Sequence, residues 1–259
     1  MPLLGQVGTV SRSLPDPASV ALTALAFLAG GILKGATGAG TPIIAVPLMT
    51  MMFGVETAVA VFALPNLLAN VGQSWAYRTV PVDRRLLWGF ALGGGVGTAI
   101  GTALLFSLPD AVLKIAVGLT VMVYVLFRLI RPGRALSPNA AARLAPVAGG
   151  LGGVLMGATG ISAPVSLTFL NAVALPRPAF VRTVSSFFVA LACVQIPLLL
   201  WNGVLTAPHA LLGLGAFVTI LAGMPIGARL GRRLSSAAFD RVILTLLTVL
   251  ALKLLWDAL

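Results

Sequence analysis

The most suggestive residues for chemistry lie in two Gly-Ala-Thr-Gly segments, at residues 35–38 and 157–160, each followed closely by a proline. Glycine permits an irregular backbone, and proline suits the first turn of a new helix because that position needs no N–H donor. A helix that begins there directs free N–H groups and a positive dipole end into the protein, which favours a small anion. Packed glycine kinks between helices are the alternative interpretation. The candidate anion-binding residues of these segments are Gly35, Thr37, Gly38, Thr41, Gly157, Thr159, Gly160 and Ser162.

Amide side chains form a second group of candidates. Asn66, Asn70 and Gln73 are spaced i, i+4 and i+7, so they share one helix face, and Gln195 is the counterpart of Gln73 in the second half of the chain. Polar groups within an apolar span face the protein interior. This face either lines a transport path, where it donates hydrogen bonds to an oxyanion, or bonds neighbouring helices together. Both interpretations stay open for Asn66.

Lys34 directly precedes the first glycine segment, at the position that Met156 occupies before the second. A lysine here either neutralises a bound anion or extends its amine to the membrane surface. Arg182 fits a positively charged anchor, Glu56 a helix-start residue, and Cys193 a small buried apolar residue. Proton coupling by Glu56 and sulfur chemistry at Cys193 are minority hypotheses, and His209 is assigned no role.

Enzyme signatures are missing from the sequence. There is no His-Glu-x-x-His motif, no Gly-x-Ser-x-Gly elbow and no phosphate-binding loop. A single histidine and a single cysteine leave little material for a catalytic pair or a transition-metal site. We therefore predict neither catalysis nor a cofactor nor a metal, and a proton or sodium gradient could drive transport.

The composition indicates that these residues are carried by membrane helices. Hydrophobic residues make up 59% of the 259 and charged residues 9%, and the mean hydropathy is +1.06. Soluble domains carry about a quarter charged residues, so a lipid bilayer is the predicted surrounding and the whole chain, 1–259, is one membrane domain. The formal net charge of +11 comes from short basic loops between apolar runs, which is the positive-inside pattern rather than a nucleic-acid-binding face.

The chain is an internal repeat, with halves at about 18–131 and 144–257. The two Gly-Ala-Thr-Gly segments keep register with the pair Gln73 and Gln195, and Gly97 and Gly101 match Gly223 and Gly227 after a small insertion. We attribute these later glycines to helix packing. Each half is predicted to hold a broken-helix hairpin and three membrane helices. The predicted segments are 19–36, 42–53, 57–77, 86–107 and 111–130, and then 145–158, 163–175, 179–200, 209–230 and 238–256.

The basic loops set the predicted orientation. They contain Arg78, Arg84, Arg85, Arg128, Arg131, Arg134, Arg143, Arg229, Arg232, Arg233 and Arg241. All of them fall on one side of the membrane only if the two halves are inverted, with a hairpin that starts and ends on one side in each. The predicted fold is thus an all-α integral membrane protein of two inverted homologous repeats, in which the two glycine segments meet near the midplane.

The glycine-rich segment that begins at Gly31, its repeat at 153–170 and the segment Met224–Leu234 resemble the sulfite exporter TauE/SafE family of bacterial membrane permeases. The resemblance covers nearly the whole chain. It implies a location in the bacterial inner membrane and transport of a sulfur-containing or organic anion such as sulfite or a sulfonate. A passive anion channel and, less favoured, a membrane assembly factor are the alternatives. Hydroxyl residues stand where the family often has glycines, so the substrate is not transferred, and transport direction and oligomeric state stay open.

Overall fold

The computed structural model describes residues 17–37, 41–130, 136–233 and 236–258, and these residues form helices joined by short turns. The helices are α1 Pro17–Thr37, α2 Thr41–Phe53, α3 Val55–Ala76, α4 Arg84–Ser107, α5 Asp110–Ile130, α6 Pro138–Thr159, α7 Ala163–Val173, α8 Arg177–Trp201, α9 Ala207–Arg233 and α10 Ser236–Ala258. The all-helical prediction and the order of the segments are confirmed. Arg131, Arg134 and Gly38 lie outside the described residues.

One predicted boundary is wrong. We expected the sixth segment to begin near residue 145, but α6 begins at Pro138. The hydroxyl of Ser137 accepts a hydrogen bond from the Ala140 N–H and caps the helix, and a proline fits its first turn. Arg143 was assigned to the basic connector before this segment, although α6 continues through it.

Six of the described helices, α3, α4, α5, α6, α8 and α9, are long and apolar enough to cross a membrane. On α4 the side chains of Leu92, Val96 and Ile100 follow one another at a spacing of four and are all exposed, so one face of this helix is built for lipid. By contrast, α2 has 13 residues and α7 has 11. At 1.5 Å per residue they reach about 20 Å and about 17 Å, which is short of a bilayer core of about 30 Å.

Each short helix folds back on the helix before it. The hydroxyl of Thr23, early in α1, donates to the sulfur of Met49 near the end of α2 at 3.4 Å. In the second half the Leu136 N–H, just before α6, donates to the carbonyl of Ala172 in the last turn of α7 at 2.7 Å. Both helix pairs therefore return to the side from which they started, as hairpins do.

Glycines allow helices of each half to pack closely on helices of the other half. A Cβ on Gly31 of α1 would lie 2.5 Å from the carbonyl oxygen of Ile220 in α9, and one on Gly35 would overlap the carbonyl of Met224. In the other half, Gly97 of α4 packs in the same way on Gly150 of α6. Thus α1 of the first half packs on α9 of the second, and α6 of the second packs on α4 of the first. The packing role predicted for Gly97, Gly101, Gly223 and Gly227 is confirmed.

The arginines collect at one end of the helix bundle, which we call the basic end. The Arg182 guanidinium donates to the carbonyl of Val80, so the start of α8 lies beside the turn between α3 and α4. Phe90 of α4 stacks on Phe187 of α8 at 4.2 Å, and Gly94 then borders Leu191, so these two helices run in the same direction. The arginines at the basic end are Arg78, Arg84, Arg85, Arg128, Arg143, Arg177, Arg182 and Arg229.

The opposite end carries paired charges. Asp110 accepts a hydrogen bond from the Val55 N–H at 3.2 Å, which places the start of α5 beside the start of α3. The same carboxylate lies 2.7 Å from the ammonium of Lys114, and Lys253 forms a similar pair with Asp257. Lysines at this end are therefore neutralised by their own helix, whereas the basic end keeps its positive charge.

Candidate functional site

The Lys34 side chain is buried in the protein and does not extend to the membrane surface. It is 4% exposed, near the end of α1, and its Nζ donates to Oδ1 of Asn70 on α3 at 2.9 Å. Asn70 is itself 1% exposed. The interpretation of Lys34 as a surface-reaching lysine is therefore wrong, and its ammonium belongs to the interior.

Asn70 connects Lys34 to Asn66. An ammonium can only donate hydrogen bonds, so Asn70 must turn its oxygen toward Lys34 and its Nδ2 away from it. That Nδ2 donates to the backbone oxygen of Asn66 at 2.7 Å and to its Oδ1 at 2.8 Å. The acidic side chains that form ion pairs with described lysines lie at the opposite end of the bundle. Among the described residues, the positive charge of Lys34 is thus met by a neutral amide alone.

The remaining polar residues of this helix face extend toward the basic end. Oε1 of Gln73 accepts a hydrogen bond from Ser185 of α8 at 3.2 Å, and Ser74 bonds Ser186 at 3.1 Å. Gln73 is half-buried, whereas Asn66 and Asn70 are buried. A polar column therefore runs along α3 from the buried Asn66 to the basic end. Interhelical bonding, one of the two alternatives for this face, does occur at Gln73.

The first hairpin tip lies beside this column. Thr37 is the last residue of α1, and α2 begins at Thr41, which is 4% exposed. The Thr41 hydroxyl is buried and has no hydrogen-bond partner among the described residues. The first N–H groups of a helix also lack partners within the helix, so the start of α2 brings N–H donors into the interior. Gly35 faces α9 instead and serves packing.

The second hairpin tip is bonded within itself. Gly160 ends α6 with φ of 73°, a left-handed conformation that glycine adopts without strain. The Thr159 hydroxyl donates to the carbonyl of Leu155 at 2.7 Å, and Ser162 lies 3.0 Å from the hydroxyl of Ser166. Ser162 is fully buried but makes no side-chain cap to α7. The two predicted hydroxyls at this tip are therefore already engaged by their own segment.

Both hairpin tips lie along α2, whereas Gln73 and Gln195 lie in different parts of the protein. Gly160 lies against Val46, five residues into α2 from the first tip at Thr41, which is about 7.5 Å along the helix axis. Gln195 is 2% exposed, and its Nε2 lies 3.5 Å from the carbonyl oxygens of Met156 and Gly157. This is longer than an ordinary hydrogen bond of about 2.9 Å. Gln195 belongs to the second tip, and Gln73 to the polar column.

Two residues that sequence reasoning missed are Thr98 and Thr102 of α4. Both are fully buried, and neither hydroxyl has a hydrogen-bond partner in the part of the chain that the structure describes. They follow the packing glycines Gly97 and Gly101 by one residue, so the stretch was interpreted as packing alone. The repeat held a signal, since the equivalent positions in the second half are the non-hydroxyl residues Met224 and Ala228.

The other individual candidates take up ordinary places. Cys193 is exposed, so it is not the buried apolar residue that we expected. The His209 ring nitrogen lies 2.7 Å from the carbonyl of Val204 at the turn before α9. Arg182 contacts the backbone of Val80 at the basic end, as an anchor would. Among the described residues no group of three His, Cys, Asp or Glu side chains could hold a metal ion.

The family model described as sulfite exporter TauE/SafE matches residues 22–254, which is nearly the whole chain and includes both hairpins and the polar column. No curated protein and no solved structure matches the chain.

Proposed function

This chain belongs to the sulfite exporter TauE/SafE family of membrane transporters, and from that premise we propose that it moves a small sulfur-containing or organic oxyanion past Lys34. The observation that carries the proposal is the buried Lys34 ammonium, whose hydrogen-bond partner among the described residues is the neutral Asn70. A multi-pass membrane transporter needs a place in its interior where a charged solute is more stable than in lipid, and this ammonium supplies it.

The energetic argument is one of charge balance. An ammonium removed from water is stable only when an opposite charge or several strong acceptors meet it. Toward the residues that the structure describes, Lys34 uses one of its three donor hydrogens, on Asn70, which leaves two for another acceptor. A bound anion provides both the missing negative charge and those acceptors. The ion path through a membrane protein is where such a residue is expected.

The surrounding donors favour an oxyanion. Nδ2 of Asn66, the unpartnered hydroxyl of Thr41 and the first N–H groups of α2 all belong to segments that border Lys34 or the first hairpin tip. An oxyanion with three oxygens can accept from several donors at once, and its charge is stabilised by the positive end of a helix. Sulfite and organic sulfonates share this group. The second tip, with Gly157, Thr159, Gly160 and Ser162, would limit the site from the other side.

We further propose that the chain is a single domain of two inverted repeats in a bacterial inner membrane. The direction of the helices supports inversion, because α4 begins at the basic end whereas its repeat counterpart α9 begins at the opposite end beside the start of α3. The basic end would face the cytoplasm by the positive-inside rule. All four tryptophans are exposed near helix ends, two at each end of the bundle, as interfacial anchors are: Trp75, Trp88, Trp201 and Trp256.

The test is anion flux into proteoliposomes that contain the purified full-length chain, with sulfite, sulfoacetate, sulfate, nitrate and chloride as probes. The transporter proposal expects saturable flux of at least one sulfur oxyanion, lost in Lys34→Met and partly kept in Lys34→Arg. Lys114→Met is the matched control, because the Lys114 side chain is 27% exposed and pairs with Asp110 at the opposite end. No flux of any probe, or equal flux in Lys34→Met, refutes the proposal; unsaturable flux supports a passive channel instead.

A further inference from the structure

A second polar cluster surrounds the C-terminal end of α6, where α4, α6 and α8 meet. A Cβ on Gly157 would lie 2.6 Å from both the backbone nitrogen of Thr102 and the backbone oxygen of Thr98, so α4 and α6 touch through their backbones there. One turn earlier, Gly94 of α4 faces both Gly153 of α6 and Leu191 of α8. Thr98 lies four residues after Gly94 on α4, and Gln195 lies four residues after Leu191 on α8. Because the two helices are parallel, Thr98 and Gln195 lie in the same contact between α4 and α8.

This cluster is rich in oxygen atoms with lone pairs to spare. The hydroxyls of Thr98 and Thr102 are fully buried, and no described residue forms a hydrogen bond with either of them. The carbonyl of Gly157 belongs to the last turn of α6, where carbonyls have no partner within the helix, and among the described side chains it accepts from Nε2 of Gln195 at 3.5 Å. Buried polar atoms are normally satisfied, so this group of oxygens calls for a ligand.

We propose that these oxygens form a sodium-binding site. The C-terminal end of a helix carries the negative end of its dipole, and hydroxyl and carbonyl oxygens are ligands for hard cations. No carboxylate of a described residue contributes, and divalent cations usually bind through carboxylates, so the site suits a monovalent cation. The ligands are the hydroxyls of Thr98 and Thr102, the carbonyls of Met156 and Gly157, and the amide oxygen of Gln195 after rotation of its side chain.

The repeat explains why the site occurs in one half. At the first tip the chain carries the fixed positive charge of Lys34, and the helix packed on that tip has Met224 and Ala228 in place of the two threonines. At the second tip Met156 stands in place of Lys34, and the helix packed on it carries both hydroxyls. The first hairpin would therefore carry a cation that is part of the chain, Lys34, and the second would bind Na⁺, which exchanges with the solution. Both would lie next to the proposed anion path.

The test is equilibrium binding of ²²Na⁺ to the purified full-length protein in detergent, with choline as the background cation and gluconate as the sole anion. Wild type is expected to bind ²²Na⁺ saturably, with displacement by unlabelled Na⁺ but not by choline. Thr98→Val combined with Thr102→Val is expected to weaken binding by roughly tenfold for each hydroxyl, the scale of a lost contact to a charged group. Thr98→Ser combined with Thr102→Ser keeps both hydroxyls and should restore binding.

Thr50→Val is the matched control, because Thr50 is also fully buried with an unpartnered hydroxyl but lies on α2. Its binding should equal that of wild type. Absence of saturable binding in wild type overturns the proposal, and so does equal binding in the double valine variant when its elution and thermal unfolding match those of wild type. Because no candidate substrate anion is in the assay, either result leaves the role of Lys34 in anion flux to its own test.

Discussion

The contact between Lys34 and Asn70 should be measurable as an interaction energy between two buried residues. Asn70→Leu removes the acceptor that stabilises the ammonium and leaves a charge in the interior without a partner. A hydrogen bond to a charged group contributes about 1.5–3 kcal/mol. For a chain of this size each kcal/mol changes the midpoint of unfolding by about 2–4 °C, so we expect Asn70→Leu to lower it by roughly 3–12 °C.

The partner variant should behave in the opposite way. Lys34→Met removes the buried charge itself and introduces the residue that the second half carries at the equivalent position. Replacing a buried charged group by an apolar side chain of similar volume is often neutral or stabilising. We therefore expect the unfolding midpoint of Lys34→Met to equal or exceed that of wild type, while anion flux is lost.

The double variant separates this interaction from the other bonds of Asn70. In the Lys34→Met background, Asn70→Leu still breaks the hydrogen bonds to Asn66 but no longer leaves a buried charge without a partner. The loss of stability that it causes should therefore be smaller there, and the difference is the coupling energy between the two residues. Thermal unfolding in detergent, followed by tryptophan fluorescence, measures all four proteins of the cycle. Equal destabilisation by Asn70→Leu in both backgrounds would show that the ammonium does not depend on Asn70.

Two further predictions concern packing and orientation. Gly35→Ala should destabilise the protein by more than about 1 kcal/mol, because the new methyl group overlaps a carbonyl of α9. Gly72→Ala, which meets nothing within 4 Å, should instead stabilise α3 by about 0.5–1 kcal/mol. Thermal unfolding of the two variants tests both expectations. In a Cys193→Ala background, Arg84→Cys and Arg229→Cys should react with a membrane-impermeant thiol reagent from the cytoplasmic side alone. Reaction of the second from the outside would mean that the halves are not inverted.

The order of the helices followed from the sequence because hydropathy and glycine both act locally. Apolar runs mark the helices, and the breaks at Gly35–Gly38 and Gly157–Gly160 mark the hairpin tips. The start of α6 was missed because its cap at Ser137 lies in a stretch whose arginine and proline resemble a loop. A helix cap depends on a single hydrogen bond from one residue, and the composition of the surrounding segment does not reveal it.

The site was less predictable because it depends on which helices touch. The residue types were informative at Lys34 and Asn70, but their 2.9 Å contact joins α1 to α3 and has no mark in the sequence. Gln73 and Gln195 are repeat counterparts, which suggested a shared site, yet they bond to different partners. Thr98 was overlooked because a threonine beside packing glycines is ordinary, and only its contrast with Met224 at the equivalent position of the second half sets it apart.

The exchanged packing of the two halves has a consequence for how the protein is made. The glycine face of α1 is covered by α9, which emerges from the ribosome after most of the chain has been synthesised. During that interval the first helix sits in the bilayer with its close-contact surface exposed to lipid, and α2 is too short to hold it across the membrane. The packing of α1 on α9 can therefore form only near the end of translation. Chains that stop before α9 would leave the glycine face of α1 uncovered.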